Sequence, residues 1–181
     1  MAVDEELLRK IGDLPILRLY DWEGAWVSVG YFGDLEAALV QFGPEVSVVK
    51  RPTGGGVVDH RNDLTYTLVI PASHELVRGS RQEAYRIIHQ AVAGALRECG
   101  MSAELIDHDS QSESPNCFEK AVRWDVVDER GRKQAGAGQR RTKQGLLHQG
   151  SVSRPGDKGE IFQKALVAGL ATTPSLWTPQ R

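Results

Sequence analysis

Cysteine is scarce in this chain: Cys99 and Cys117 are the only two among 181 residues. Two cysteines cannot form the disulfide framework that stabilises small secreted domains. The sequence also lacks an apolar run long enough to span a membrane, and no secretory signal peptide opens it. We therefore expect a cytoplasmic protein that has no membrane partner.

An excess of charge of one sign is lacking as well. Lysine and arginine number 22 and aspartate and glutamate 24, so the formal net charge is −2. The chain as a whole therefore has no electrostatic preference for nucleic acid. One local cluster of basic residues consists of Arg130, Arg132, Lys133, Arg140, Arg141 and Lys143. Acidic residues adjoin it and no aromatic residues are interleaved, so we expect no nucleic-acid partner and interpret the cluster as a docking surface for an acidic protein.

The rest of the composition is that of an ordinary globular domain, with 40% apolar and 25% charged residues and no internal repeat. Hydrophobic periodicity predicts helices and strands along the whole chain. Helices are predicted over residues 3–11, 34–41 and 81–99 and from a capping box at Asp157 onward. Strands are predicted over residues 16–20, 26–32, 46–49, 64–70, 102–106, 123–128, 133–139 and 145–152, and residues 72–80 are predicted to form a loop.

The clearest helix follows Ser80, where apolar residues recur at three- and four-residue steps as far as Cys99. Ser80 and Glu83 have the spacing of a capping box, and Gly100 ends the pattern. Cys99 lies on the apolar stripe of this helix and is expected to be buried. His89 lies off the stripe, which predicts a solvated position for its side chain.

Three consecutive glycines, Gly54 to Gly56, connect two runs of β-branched and apolar residues. This pattern predicts a strand, a tight loop and a second strand. Backbone N–H groups without side chains can approach a ligand closely and bind a carboxylate, a phosphate or a thioester carbonyl. Arg51 supplies a cation beside the loop, and His60 follows it. A flexible hairpin turn without a ligand is the alternative that the glycines alone leave open.

The same stretch resembles the signature of the lipoate-protein ligase and octanoyltransferase family, with RPTGGGVVDH over residues 51–60 and LTYT over 64–67. GRKQAGAGQR over residues 131–140 resembles the second signature of this family. The resemblance implies an α+β fold in which helices flank a mixed central β-sheet, as in the catalytic domains of biotin and lipoate protein ligases. It also implies a single catalytic domain over residues 1–181, without a C-terminal accessory domain.

The resemblance places the acyl or lipoyl group against both signatures and the strands beside them. The implied contacts are Arg51, Thr53, Gly54, Gly55, Gly56, His60, Tyr66, Gly136, Ala137, Gln139 and His148. Lys133 is the implied catalytic cation, because a fixed ammonium stabilises negative charge that develops on a carbonyl oxygen under attack. Val57, Tyr66 and Leu68 are expected to line an apolar tunnel for the acyl chain. His148 is expected to support the structure rather than to act as a base.

Three positions depart from the family pattern. Gly33 lies where glutamine is usual, after the Tyr-Phe pair, and Ala137 and Gly138 replace a usual Ser-Ala. A hydroxyl that could donate a hydrogen bond in the site is therefore absent.

Cys117 distinguishes two branches of the family. SPNCF over residues 114–118, with Trp124-Asp125 and then GRK over residues 131–133, resembles the cysteine-dependent octanoyltransferases, whose cysteine takes octanoate from acyl carrier protein as a thioester. A thiolate is a good nucleophile, and the thioester that it forms stays activated toward an amine. From the local sequence alone, an incidental loop cysteine is the alternative.

The resulting prediction is an acyltransferase of protein lipoylation. An octanoyl or lipoyl group would pass from acyl carrier protein through Cys117 to a lysine of a lipoyl-domain protein, such as the glycine cleavage H protein or a dehydrogenase E2 subunit. This reaction requires no cofactor, and no metal site is expected. The alternative is an ATP-dependent lipoate-protein ligase that works through lipoyl-AMP and needs ATP and Mg²⁺.

Overall fold

The computed structural model describes residues 1–109 and 121–172. Its helices are α1 (Ala2–Arg9), α2 (Leu35–Phe42), α3 (Glu75–Arg78), α4 (Arg81–Glu98) and α5 (Gly159–Thr172). Its strands are β1 (Ile16–Tyr20), β2 (Trp26–Val29), β3 (Ser47–Lys50), β4 (Val57–Asp59), β5 (Asp63–Pro71), β6 (Glu104–Leu105), β7 (Val126–Val127), β8 (Lys133–Arg141) and β9 (Gly145–Ser153). None of these helices is long and apolar enough to cross a bilayer.

The strands form a large and a small sheet. The large sheet has the order β1-β5-β9-β8-β7-β6, and all of its neighbouring strands are antiparallel. The small sheet has the order β3-β2-β4, in which β2 is parallel to β3 and antiparallel to β4. The predicted α+β fold with mixed strand pairing and flanking helices is therefore confirmed, and the parallel pair lies in the small sheet.

Strand β5 lies inside the large sheet, and every one of its residues is buried. Successive side chains of a strand point to opposite faces. Tyr66, Leu68 and Ile70 join the main hydrophobic core with α4 and α5, on what we call the α4 face of the sheet. Val69 packs against Leu8 of α1 on the opposite face, called the α1 face below.

Helix α4 follows its sequence pattern except at one position. The Ser80 hydroxyl accepts the Glu83 N–H at 3.0 Å, and Cys99 is buried, as predicted. The prediction that His89 is solvated is wrong, because this side chain is fully buried. His89 Nδ1 lies 2.7 Å from the carbonyl oxygen of Trp124, so α4 is covered on this side by the chain that leads into β7.

Other differences from the predicted elements also have tertiary causes. Strand β2 ends at Val29 rather than at residue 32, because the next N–H groups bond to the glycine loop. Residues 75–78 form the short helix α3 instead of a loop, with the His74 side chain accepting a backbone N–H. Helix α5 begins at Gly159, two residues after the predicted cap at Asp157.

Candidate functional site

A cleft on the α1 face brings the two glycine-containing signatures together. It encloses about 480 Å³ of empty space, part of which is open to solvent. Arg51 and Gly55 line it from the first signature, and Lys133 and Gly136 from the second. Strand β9 contributes the side chains of Gln149 and Ser151 between them. The fold thus joins two segments that are far apart in the sequence.

The glycine loop approaches β8 closely at Gly138. A Cβ on Gly138 would lie 2.5 Å from the Gly54 carbonyl oxygen and 2.9 Å from the Thr53 hydroxyl oxygen. The Thr53 hydroxyl donates in turn to the Gln149 side chain of β9 at 2.9 Å. At Gly55 the backbone has φ of +101°, a conformation that favours glycine. Glycine at 138, one of the departures from the family pattern, is therefore the residue that lets the loop pack on the sheet.

Arg51 braces the glycine loop from within. Its Nη2 donates to the carbonyl oxygens of Gly54 at 3.1 Å and Gly56 at 2.8 Å. Its Nη1 donates to the Ser28 carbonyl and hydroxyl oxygens at 3.1 Å each. The guanidinium thus links the glycine loop to Ser28 of β2. These hydrogen bonds hold the loop in one conformation beside the cleft.

Lys133 is held at the edge of the cleft by a buried ion pair. Its Nζ lies 2.8 Å from Asp125 Oδ2, and the exposed fractions of the two side chains are 7% and 0%. Asp125 Oδ2 also accepts the Val122 N–H at 2.8 Å. A Cβ on Gly136 would overlap the end of the Lys133 side chain, so glycine at that position makes room for the ammonium.

Tyr85 of α4 completes the binding of Asp125. Its hydroxyl donates to Asp125 Oδ1 at 2.5 Å and accepts the Ala137 N–H at 2.9 Å. Burial, and then the neighbouring Asp125 carboxylate, raise the pKa of Tyr85 well above its usual value. The phenol therefore stays protonated and remains a hydrogen-bond donor to Asp125 at neutral pH.

His60 lies in a second buried polar chain that borders the cleft. Its Nδ1 is 2.7 Å from Asp63 Oδ2, and its Nε2 is 2.7 Å from the Ser28 hydroxyl oxygen. The ring stacks on Trp22 with centroids 4.3 Å apart, and the Ser151 hydroxyl also donates to Asp63. Both ring nitrogens thus have protein partners, so His60 is oriented as part of the cleft wall.

Three predicted acyl contacts, Tyr66, Gln139 and His148, lie on the α4 face rather than in the cleft. His148 Nε2 is 2.9 Å from the Tyr66 hydroxyl, and its Nδ1 is 3.0 Å from Gln139 Nε2. Leu68, expected in the acyl tunnel, packs in the core on the same face. Strand alternation explains this placement, because Thr65 beside Tyr66 and Gln149 beside His148 face the cleft instead.

Of the expected tunnel residues, Val57 does not line the cleft, whereas its neighbour Val58 does.

Two histidines on the α4 face are kept neutral by burial. Burial lowers the pKa of His89 from 6.5 to about 4. Burial, and then the neighbouring His89, lower the pKa of His148 well below its usual value. The two rings lie 5.5 Å apart. Neutral, hydrogen-bonded His148 fits a supporting role.

These histidines predict a pH-dependent stability. Between pH 6.5 and 4 the unfolded chain binds a proton at His89 that the folded protein excludes, so the free energy of unfolding falls as the pH drops through this range. For His89 the loss between pH 7 and pH 5 is about 2 kcal/mol. Urea unfolding of the wild-type protein and the His89→Asn variant at both pH values measures it. An identical pH dependence in the two proteins would contradict the prediction.

Cys117 lies outside the described residues, within the segment 110–120. Residues on the two sides of this segment are hydrogen-bonded to each other, since Asp109 Oδ1 accepts the Arg123 N–H at 2.8 Å. Ala121 to Asp125 follow directly and lead to the carboxylate that binds Lys133. Asp109 and Arg123, on the two sides of the segment, thus meet two residues before the carboxylate of the ion pair.

The basic cluster of residues 130–143 does not form one surface. Arg140 and Arg141 are neighbours on β8 and point to opposite faces: Arg140 lies 5.5 Å from the Tyr31 ring, whereas Arg141 donates to the Val77 carbonyl oxygen at 2.8 Å. Arg132 donates to Asp128, and Lys133 is buried. The interpretation of these six residues as one docking surface is therefore wrong.

The sequence did not identify Ser28, Asp63, Tyr85 or Gln149 as residues of the site, and it showed Asp125 only as part of the Trp124-Asp125 match to the family. The detectable signal was at Asp125, a carboxylate between Trp124 and Val126 in a stretch predicted as strand. Buried acidic residues are uncommon unless paired. In residues 1–109 and 121–172 no group of histidine, cysteine, aspartate and glutamate side chains could hold a metal ion.

Comparison with known proteins identifies relatives over almost the whole chain. Residues 1–174 match the family model of the lipoyl protein ligase A/B catalytic domain. The octanoyltransferase LipM of Staphylococcus epidermidis is 34% identical over 176 residues, and that of Bacillus subtilis is 32% identical over 178 residues. Each match covers 90% of this chain and 63% of the relative, so the chain spans less than two thirds of these proteins' length.

Solved structures share the fold. A Thermoplasma acidophilum protein with bound lipoic acid superimposes with a TM-score of 0.72 at 22% identity, covering 94% of this chain and 77% of that one. A bi-partite lipoate protein ligase studied with its E2 lipoyl domain, also from T. acidophilum, has a TM-score of 0.68 at 22% identity, covering 94% and 76%.

Proposed function

Because the chain belongs to the lipoyl protein ligase A/B catalytic domain family, we propose that it transfers an octanoyl group to a lysine of a lipoyl-domain protein. The observation that carries the proposal is the buried Lys133 ammonium, paired with Asp125 at 2.8 Å in the cleft that the glycine loop lines. The relatives named octanoyltransferase support octanoyl as the group transferred.

The transfer has two steps that share the Cys117 sulfur, which is the nucleophile of the first step and the leaving group of the second. The Cys117 thiolate attacks the carbonyl carbon of an octanoyl thioester on acyl carrier protein, a new C–S bond forms, and the carrier thiolate leaves. The acceptor lysine, as the free amine, then attacks the Cys117 thioester. The Cys117 thiolate leaves and the amine loses a proton, so an amide is formed without an oxidant, a reductant or ATP.

Lys133 would stabilise the oxyanion of both steps. Negative charge develops on the thioester oxygen as each nucleophile attacks, and a preorganised cation in a partly buried site lowers the energy of that state. An ammonium has three N–H donors, so pairing with Asp125 is compatible with donation to a carbonyl oxygen. The Gly54 to Gly56 loop would bind the acyl group from the opposite side of the cleft.

An ATP-dependent lipoate-protein ligase is the second candidate. It is favoured by the shared fold of the T. acidophilum protein with bound lipoic acid. In this case Lys133 would contact the carboxylate and phosphate of lipoyl-AMP, and ATP and Mg²⁺ would be required. For both candidates the acceptor is a lipoyl domain, such as that of a dehydrogenase E2 subunit or the glycine cleavage H protein.

The test is intact-protein mass spectrometry after incubation with octanoyl-acyl carrier protein in the absence of ATP. We expect an octanoyl adduct that hydroxylamine removes, that is absent in Cys117→Ala and that persists in Cys99→Ala, whose thiol is buried elsewhere. An adduct that survives in Cys117→Ala would overturn the cysteine mechanism. No adduct, together with ATP-dependent attachment of lipoate to a lipoyl domain, would establish the ligase instead.

A further inference from the structure

The residue before Asp125 has an unusual backbone conformation. Among residues 1–109 and 121–172, Trp124 is the only non-glycine residue with a positive φ, at +73°. A side chain with a Cβ is strained in this left-handed region, so neighbouring contacts must maintain the conformation. The direction of the 124–125 peptide sets where the Asp125 carboxylate points, and thus where Lys133 is held.

His89 provides such a contact from α4. Its Nδ1 lies 2.7 Å from the Trp124 carbonyl oxygen, a distance at which the neutral imidazole donates its N–H. The ring is fully buried, and its Nε2 has no hydrogen-bond partner in the described part of the chain. Burying an imidazole with one unpaired nitrogen is unfavourable by itself. The hydrogen bond to the Trp124 carbonyl is thus the polar contact through which His89 can stabilise this region.

Tyr85 provides the second contact, one helical turn before His89. Its hydroxyl donates to Asp125 Oδ1 at 2.5 Å, and its ring packs on the His89 ring with centroids 4.1 Å apart. Residues four apart lie on one side of a helix. Helix α4 therefore binds two successive residues, Trp124 at its carbonyl and Asp125 at its side chain, from one rigid surface.

We propose that His89 is a positioning residue for the Lys133 ammonium, acting through the Trp124 carbonyl and the Asp125 carboxylate. This inference rests on the proposed function, since it assigns His89 a part in the same transfer reaction. Loss of the His89 hydrogen bond removes the contact to the Trp124 carbonyl and leaves the strained 124–125 peptide held by its backbone bonds to Ile106 and Val122 and by Tyr85. Asp125 then turns away from its place between Tyr85 and Lys133, and the ammonium loses its fixed position. A misplacement of about 1 Å can lower a rate by about 100-fold.

A pair of substitutions separates the hydrogen bond from the packing of the ring. In His89→Asn the side-chain amide nitrogen lies near the place of Nδ1 and can still donate to Trp124. His89→Leu fills the space without a donor. Val92→Ala, in the buried part of the same helix, is the control for general loss of stability, since it removes core packing rather than a contact to Trp124.

Transfer kinetics give the first measurement. We expect kcat for octanoyl transfer to fall about 10- to 100-fold in His89→Leu, with KM for the donor nearly unchanged, while His89→Asn and Val92→Ala stay close to wild type. A His89→Leu protein that is folded and transfers at the wild-type rate would overturn the proposal. An equal fall of kcat in His89→Asn would overturn it too, because the hydrogen bond would not be the cause.

Amine labelling gives a second measurement that does not require transfer activity. Lys133 is buried and paired, whereas Lys143 is exposed and serves as the internal reference. We expect an amine-reactive reagent to modify Lys133 several-fold faster in His89→Leu than in wild type, and at the wild-type rate in His89→Asn. If wild type transfers no octanoyl group but this labelling difference appears, the proposed function fails and the positioning holds. Equal labelling in all variants would overturn the positioning itself.

Discussion

Replacing Lys133 by methionine is expected to lower octanoyl transfer by about 100- to 1,000-fold, the usual effect of removing one group that stabilises an oxyanion. Methionine keeps most of the side-chain volume and removes the charge. The fall should appear in kcat for both acylation of Cys117 and transfer to the acceptor lysine, since the oxyanion develops in both steps.

The measurement is single-turnover mass spectrometry of the acyl adduct, followed by its transfer to a lipoyl domain. Lys143→Met is the matched control, because Lys143 is exposed on the turn between β8 and β9. Transfer within a few-fold of wild type in Lys133→Met would show that the ammonium does not act on the reacting carbonyl. In that case the pair with Asp125 would serve the fold alone.

Replacing Asp125 by alanine is expected to reduce the free energy of unfolding by about 3–5 kcal/mol. The substitution leaves the Lys133 ammonium buried without its carboxylate and removes the acceptor of the Tyr85 hydroxyl and the Val122 N–H. Removing only the carboxylate from a buried ion pair costs more than removing both charges. The Lys133→Met/Asp125→Ala double variant should therefore be more stable than Asp125→Ala alone.

Urea unfolding of the wild type, both single variants and the double variant forms a double-mutant cycle. Asp59→Ala is the control for an aspartate in a surface ion pair, with Arg61, and should cost less than about 1 kcal/mol. Additive effects of Lys133→Met and Asp125→Ala would contradict a coupled buried pair. An Asp125→Ala variant as stable as Asp59→Ala would contradict it as well.

Elements that depend on contacts within a few residues were predictable from the sequence. The Ser80 cap joins residues three apart, and the apolar spacing of α4 lies on one helix. Strands β5 and β9 were predicted almost to their ends, and in β5 the run of β-branched and apolar residues from Leu64 to Ile70 identifies a buried strand. The end of β2 was not predictable, since Gly30 and Tyr31 bond to loop residues more than twenty positions later.

The sequence predicted which two signatures form the candidate site. It did not predict which residues of the strands face the cleft. The resemblance predicted that the glycine loop and Lys133 lie in one site. In the structure, Gly55 of the loop and Lys133 line the same cleft. It also counted Tyr66 and His148 among the contacts, but a strand presents alternate residues to opposite faces, and these two face α4. The signature alone does not say which of two adjacent residues faces the cleft.

Local sequence patterns and contacts between distant elements thus determined different features of this protein. Its amino-acid sequence alone carried the family signatures, whose resemblance implied the α+β class, and it specified most helix and strand positions, which arise from local propensity and periodicity. The burial of His89, its bond to Trp124 and the pairing of Asp125 with Lys133 arise only in the folded chain. They depend on contacts between α4, the residues before β7 and β8, which no local pattern encodes because each partner lies in a different element.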